Sequence, residues 1–360
     1  MIFVISCIIK FIANNMELFN RFAVIAPQLS KEKYIGLGQV PVGVGAVIKG
    51  WNITEEHFRR SNFLPVVDFR AMTSACPHDC FHCFTNKLKK TLTLVKIKNI
   101  IDQLAEMKTC AIDYLGEGEP TIDQDFFEII EYTAQKGIQP IIFTDAAAKL
   151  TDRDFVRRIK KSGASVAPKC DSLWNRDFQN WVVSDKTGEY FDKRNDAIKI
   201  LIEEGFNEAA EDGTTRMGFD MVVCRKNMDE VEKTLRYCRE NNLWIIFSFY
   251  LPCGRSGQDD FDKSLILTLD EKKKMREAVR KIDEEYGFKH DLANNFLTSR
   301  CVEFMCIYGD GRVTPCSGSE VVIGDIKNNS IEKLRKIICE KFPCHDPETS
   351  DGFCCYRERF

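Results

Sequence analysis

Between residues 64 and 250, short apolar runs alternate with amphipathic, charged stretches. That alternation restricts the chain to a parallel sheet covered by helices. The apolar runs predict strands at 65–70, 111–115, 139–144, 164–168, 217–224 and 243–250, and the stretches between them predict helices near 93–108, 124–136, 151–162, 192–204 and 228–241. Thr151 and Asn227 suit helix starts, and Gly137, Gly163 and Gly205 stand where helices should stop. Six βα units fit a partial (β/α)6 barrel better than a closed eight-stranded one, although a doubly wound sheet has the same local pattern. A charged helix at about 270–286 precedes a change of composition. The expected organisation is an N-terminal extension over 1–62, a core domain over 63–288 and a small cysteine-rich domain over 289–360. The glycines at 36, 38, 43 and 45 follow no strand in a dinucleotide-binding arrangement, so no phosphate loop is expected there.

Composition narrows function mainly through cysteine. Formal charge is −3, and no basic block marks a nucleic-acid footprint. Of 16 cysteines, three fall within 76–83 and seven within 301–355. Disulfide frameworks belong to short secreted chains, whereas clustering of this kind is typical of metal ligands. The other six (Cys7, Cys110, Cys170, Cys224, Cys238 and Cys253) have mostly apolar neighbours and read as core thiols. The opening MIFVISCIIKFIA lacks a basic leader and a small-residue cleavage site, and it is too short to span a bilayer. Translation from Met16 is the alternative to an N-terminus at residue 1. No other segment is fit to cross a membrane, so a cytoplasmic protein is expected.

The run Cys76-Pro-His-Asp-Cys80-Phe-His-Cys83 directly follows the first strand. Three thiolates at this spacing can wrap one face of a 4Fe–4S cluster, each on a different iron, leaving the fourth iron open to a substrate or cofactor. The competing reading is a zinc knuckle completed by His78 or His82, but no paired C-x2-C follows at zinc-finger spacing.

The C-x3-C-x2-C run on the loop after the first βα-barrel strand resembles the radical S-adenosylmethionine (SAM) superfamily. The second strand ends in Leu115-Gly116-Glu117-Gly118-Glu119-Pro120, similar to the family's glycine-rich "GGEP" turn. The resemblance implies that Gly116, Gly118 and Glu119 meet the amino group of SAM, since glycine permits close backbone approach and a carboxylate pairs with an ammonium. It further implies adenine stacking by His82, where relatives carry an aromatic residue. Ribose contacts are implied from Asp145 in Thr144-Asp145-Ala146, and another SAM contact from Asp171 or Ser172. Leu251-Pro-Cys253-Gly-Arg255 is similar to a "P-x-G-R" strand end, so the likeness extends over roughly 65–260. The implied activity is reductive cleavage of SAM to a 5′-deoxyadenosyl radical that abstracts a substrate hydrogen atom, supplied with electrons by a flavodoxin- or ferredoxin-type donor.

The C-terminal cysteines resemble a SPASM/twitch extension. Cys301-x9-Gly311-x4-Cys316 fits its opening motif, with the hairpin-like IYGDGRV at 307–313 between the cysteines. No C-x2-C-x5-C-x3-C run follows, so a twitch-like domain with one auxiliary 4Fe–4S cluster is expected. Its ligands would be Cys301, Cys306 and Cys316, completed by Cys344, Cys354 or Cys355, with Cys339 also available. Structural zinc, or two clusters, are the alternatives.

Trp174, Phe178 and Trp181 recur at helical spacing and read either as core or as a substrate-pocket wall. Cys170 and Cys253, at strand ends, are candidate hydrogen donors to a substrate radical, or buried spectators. The resulting expectation is an oxidoreductase-type radical enzyme performing a dehydrogenation or crosslink on a peptide or protein side chain. A sugar or aminocyclitol dehydrogenase or epimerase is the alternative. A zinc- or iron–sulfur-binding protein without catalysis, and a nucleic-acid-modifying radical enzyme, complete the set.

Overall fold

The computed structural model describes residues 28–35, 37–58, 63–250, 254–257, 262–288, 304–319 and 321–341. All six expected barrel strands form within one or two residues of the expected positions: β4 Val66–Arg70, β5 Ala111–Tyr114, β6 Gln139–Thr144, β7 Ser165–Pro168, β9 Gly218–Val223 and β10 Trp244–Phe249. Four pair in parallel in the order β4-β5-β6-β7. Parallel bridges Val166↔Met217 and Lys169↔Asp220 carry the curve from β7 to β9, and β9 pairs in parallel with β10. The result is the partial barrel rather than the doubly wound sheet.

Alternation along the strands separates two interiors. Val67, Phe69, Ile112, Tyr114, Ile142 and Val166 face outward into the core shared with the helices. Val66, Ala111, Ile141, Ala167 and Ile246 face the barrel lumen, where Trp244 and Phe304 join them. The helices Leu94–Glu106, Phe126–Gln135, Arg153–Ser162, Tyr190–Glu203 and Val231–Glu240 cover the outside. Gly137, Gly163 and Gly205 all adopt positive φ where helices stop. The cap on Arg153–Ser162 is Asp152 rather than Thr151, because the Asp152 side chain accepts from the Asp154 and Phe155 amides. Asn227 instead accepts from the Cys224 amide and donates to the Asp171 carbonyl. A short helix, Arg176–Val182, follows β7 and carries two of the three aromatic residues at helical spacing, Phe178 and Trp181.

The extension closes the bottom of the barrel. β1 Leu29–Tyr34 and β2 Gly38–Pro41 form a hairpin, and β3 Val47–Ile48 pairs in parallel with β8 Thr214–Thr215. The Gly45 amide donates to Asn242 Oδ1 at 2.7 Å, and Arg239 donates to the Gly45 carbonyl. Trp51 then enters the lumen, edge-on to Trp244 at 5.2 Å.

The boundary expected near 289 does not divide the sheet. β11 Cys306–Tyr308 pairs in parallel with β4, β12 Arg312–Thr314 returns as the expected hairpin, and β13 Gly324–Asp325 follows. These strands extend the barrel sheet on the free edge of β4. Among the described residues no helix is long and apolar enough to cross a membrane. Cys7 and Met16 lie outside the described residues.

Candidate active site

The strands' C-terminal ends surround one cavity of about 270 Å³. Cys76, Cys80 and Cys83 all line it, on the loop that leaves β4. That loop is tied down by backbone bonds from Phe81 to the Val182 carbonyl, Asp79 to the Val183 carbonyl and Cys83 to the Cys80 carbonyl. Burial pushes the Cys80 thiol well up, and the neighbouring Cys83 and Cys76 add to the shift. Burial likewise raises Cys76 to about 11. Cys83 moves the other way. Its burial is outweighed by its contacts with the Thr85 hydroxyl, 3.3 Å away, and with Arg255, which lower it. One thiolate per iron requires only that the three converge on a common space, and they do. Among the described residues no three His, Cys, Asp or Glu side chains are disposed to hold a single ion.

The glycine-rich turn meets this loop directly. The Gly118 amide donates to the Thr73 carbonyl at 3.0 Å, and the Glu119 amide to the Ala75 carbonyl at 2.9 Å. A Cβ on Gly118 would lie 2.1 Å from the Ala75 oxygen, so only glycine lets the turn rest on the backbone just before Cys76. Glu119 is buried. One oxygen accepts from Thr121 and Thr144, and the other from the Asp145 amide at 2.7 Å. Asp145 faces His78 Nε2 at 3.0 Å, and its carbonyl accepts from the Tyr190 hydroxyl at 3.1 Å. His82 lines the cavity with Nε2 3.9 Å from Asp171, and burial lowers its pKa to about 4, leaving it neutral at pH 7.

Burial, with Asp145 beside it, pushes the Glu119 carboxyl from its ordinary 4.5 up to about 8. The folded state thus holds a proton that the unfolded chain releases earlier. This group's contribution to stability is full below pH 4.5 and is lost as pH rises through about 8. Thermal melts of the chain without bound cofactors should show lower stability at high pH than at low pH across that window. Glu119→Gln should flatten the slope, and an unchanged slope would assign the effect to other groups.

Not every expected contact reaches the cavity. Lys169 and Asp220 line it, 3.3 Å apart, whereas the flanking Cys170, Asp171 and Ser172 do not. Cys170 is fully buried in the outer core, with Arg194 and Cys238 as electrostatic neighbours, because strand alternation turns it away from Lys169. That placement argues against a hydrogen-donor role. Asp171 accepts from the Val222 amide and pairs with Lys169, while Ser172 bonds Glu230 and the start of the helix Arg176–Val182. None of Trp174, Phe178 and Trp181 walls the cavity. Phe178 is core, and Trp181 stacks on Phe81 at 4.4 Å.

Of the C-terminal cysteines, Cys316 lines the same cavity through the segment Cys316–Gly318. Cys306 is buried at the start of β11. Burial pushes its thiol up to about 12, against the pull of Arg70. Cys339 is exposed on the helix Ile331–Lys341. Cys253, Cys301, Cys344, Cys354 and Cys355 lie outside the described residues. The residues that the sequence did not single out are Trp51, Asp68, Asp113 and Asp220. The three aspartates do carry a signal, a lone carboxylate inside each of three apolar strands, which charged residues otherwise avoid; Trp51 carries none.

Residues 71–251 match the Radical SAM superfamily. Over 220 residues, 58% of this chain and 50% of the relative, the chain is 27% identical to the mycofactocin maturase MftC of Mycolicibacterium smegmatis. Over 232 residues, 63% of this chain and 53% of the relative, it is 24% identical to the Fe-coproporphyrin III synthase of Methanosarcina barkeri. The chain thus spans about half the length of these curated relatives. Streptococcus suis SuiB bound to its precursor peptide SuiA has a TM-score of 0.57 at 15% identity, covering 76% of this chain and 65% of that one. Native anSMEcpe with bound AdoMet and the Cp18Cys peptide has a TM-score of 0.56 at 16% identity, covering 77% and 81%. At those identities the likeness is one of fold.

Proposed function

Because the chain belongs to the radical SAM superfamily, we propose that its barrel performs a redox modification, a dehydrogenation or a crosslink, on a peptide or protein side chain. The supporting observation is that the cysteine triplet and the Gly116–Pro120 turn share one cavity, with Gly118 packed on the backbone just before Cys76. Cys76, Cys80 and Cys83 would hold a 4Fe–4S cluster with one iron free for SAM. Bound together, these two groups supply a 5′-deoxyadenosyl radical able to take hydrogen from an unactivated C–H bond.

The chain's own residues prepare that site. Glu119, buried with no cationic partner among the described residues, is a counter-charge for the amino group of SAM. The backbone at Gly116 and Gly118 allows close approach, Asp145 stands beside them for a ribose hydroxyl, and neutral His82 offers a flat ring. Arg255 donates to Asp79 and lies close enough to Cys83 for its charge to favour the last thiolate. Ala167, Ile246 and Phe304 supply apolar wall to the cavity beside its charged groups. An auxiliary 4Fe–4S cluster on Cys301, Cys306 and Cys316, completed by Cys344, Cys354 or Cys355, belongs to the same reading. So do a flavodoxin- or ferredoxin-type donor and a cytoplasmic setting. The peptide substrate draws on the printed names of the relatives, a maturase and two structures holding peptides.

Anaerobically reconstituted protein supplied with dithionite and SAM should release 5′-deoxyadenosine. A modified peptide should lose two hydrogen atoms by mass. Full iron loading with no deoxyadenosine above the protein-free control would sink the proposal.

A further inference from the structure

Asp68 interrupts VVDFR in β4 and Asp113 interrupts AIDY in β5, and the register sets the two directly opposite each other. Both line the cavity, Asp113 1% and Asp68 8% exposed. A two-residue step, roughly 7 Å at the usual strand rise, places them below Arg70 and Leu115, where the cysteine loop and the glycine-rich turn depart. Around the pair the walls are apolar: Phe143, Ala167, Ile246 and Phe304, with the Trp51 ring between.

The two carboxyls are held in different states. Asp68 is a compensated carboxylate: the fully buried Arg70 guanidinium is its electrostatic neighbour, and Ser317 donates a hydrogen bond to it. Asp113 has no such support. Sealed from solvent, it accepts one hydrogen bond, from the Trp51 indole N–H at 3.1 Å, and the charge that acts on it is the like charge of Asp68. Ionising it would set a second negative charge beside the first in an apolar recess. Burial and that neighbour accordingly hold the Asp113 carboxyl well above its usual range, so it keeps its proton where an ordinary aspartate has lost it. An oxygen that accepts from Trp51 is the carbonyl oxygen of the acid, which leaves the proton on the other one. Among the described residues that O–H meets no acceptor. A buried donor left in that state is costly unless something in the cavity receives it.

We infer that the pair is a receptor at the inner end of the cavity for an amide group of the substrate. Un-ionised Asp113 donates to the amide carbonyl oxygen, and the Asp68 carboxylate beside it accepts from the amide N–H. The chemistry matches because an amide carries an acceptor and a donor side by side, and a carboxylate keeps lone pairs to spare after one hydrogen bond. An ammonium would give the Asp113 O–H nothing to donate to, and a substrate carboxylate would meet Asp68 as a like charge. The apolar walls take the hydrocarbon next to the amide. This rests on the reading of the cavity as the reaction chamber, and it narrows the peptide substrate to one that presents a backbone or side-chain amide at this depth.

The test is calorimetric titration of the anaerobic holoenzyme, SAM bound, with butyramide, with 2-pentanone, which replaces the amide nitrogen by a methyl group, and with n-butylammonium chloride. Butyramide should bind about tenfold more tightly than the ammonium, the size expected of one buried hydrogen bond, with the ketone between them. Asp113→Asn should keep the order, because its carboxamide also accepts from Trp51 and donates to the ligand. Asp113→Leu, which donates nothing, should abolish it. The protonation state has its own readout. The infrared difference between the unmodified holoenzyme and Asp113→Asn should contain a protonated-carboxyl C=O band, and butyramide should move that band to lower frequency. An absent band, an amide bound no better than the ammonium, or a preference that survives Asp113→Leu overturns the receptor. If Asp113→Leu fails to fold, the infrared comparison decides. Deoxyadenosine release by the same unmodified preparation scores the radical reading separately. An enzyme that cleaves SAM without preferring the amide loses only this inference. One that prefers the amide but cannot cleave SAM loses the reaction chamber, and the receptor's claim on substrate with it.

Discussion

Cys80→Ala is expected to reduce 5′-deoxyadenosine release to the protein-free background and to lower iron bound per chain. Cys80 is the middle thiol of the triplet, and both Cys76 and Cys83 act on it electrostatically. On the proposed reading, two remaining thiolates would hold a cubane poorly, and SAM cleavage would fail with it. The fold should survive, because the loop is fastened by main-chain bonds from Asp79 and Phe81 to Val183 and Val182, which the substitution leaves in place. Far-UV circular dichroism should therefore match the parent while iron analysis and deoxyadenosine assays do not. Full turnover by the alanine variant would remove the triplet from the chemistry.

Asp283→Ala is expected to cost about 3–5 kcal/mol of stability, because it strands a buried cation. Arg239 Nε donates to Asp283 at 2.9 Å with both side chains essentially sealed from solvent. The same guanidinium donates to the Gly45 carbonyl and lies 4.8 Å over the Phe288 ring. The pair therefore joins the helices Val231–Glu240 and Leu269–Glu285 to the extension that closes the barrel floor. Urea unfolding at neutral pH should show the loss, and Arg239→Met combined with Asp283→Leu should recover much of it by removing both charges together. A loss below about 1 kcal/mol would mean that the pair is solvated in solution, as exposed pairs are.

The local rules carried far in this chain. Strand positions came within a residue or two and helix positions within three, because periods of two and 3.6 are short-range signals that survive any tertiary arrangement. The misplaced cap on Arg153–Ser162 was an error of one residue between two adjacent capping types, Thr151 and Asp152. The loop Cys76–Cys83 and the turn Gly116–Pro120 were legible for a related reason: each is a contiguous stretch whose chemistry lies in its own spacing.

Side-chain facing was less legible. Lys169 and Cys170 are chain neighbours with opposite fates, one in the cavity and one in the outer core. Composition does not state which parity of a doubly buried strand faces inward. That is settled only when the sheet curls and helices cover its outer side. The same closure turned single carboxylates in separate strands into the opposed pair Asp68 and Asp113, and carried Trp51 from the extension to meet them.

What the residues prescribed unaided was therefore the set of βα units, the three-thiolate loop and the glycine turn, all encoded over spans of a few residues. The long-range assembly added the attachment of β11 to β4, the floor built by the extension and the membership of the cavity. Those depend on pairings between residues as far apart as Phe69 and Ile307, whose register no local pattern encodes.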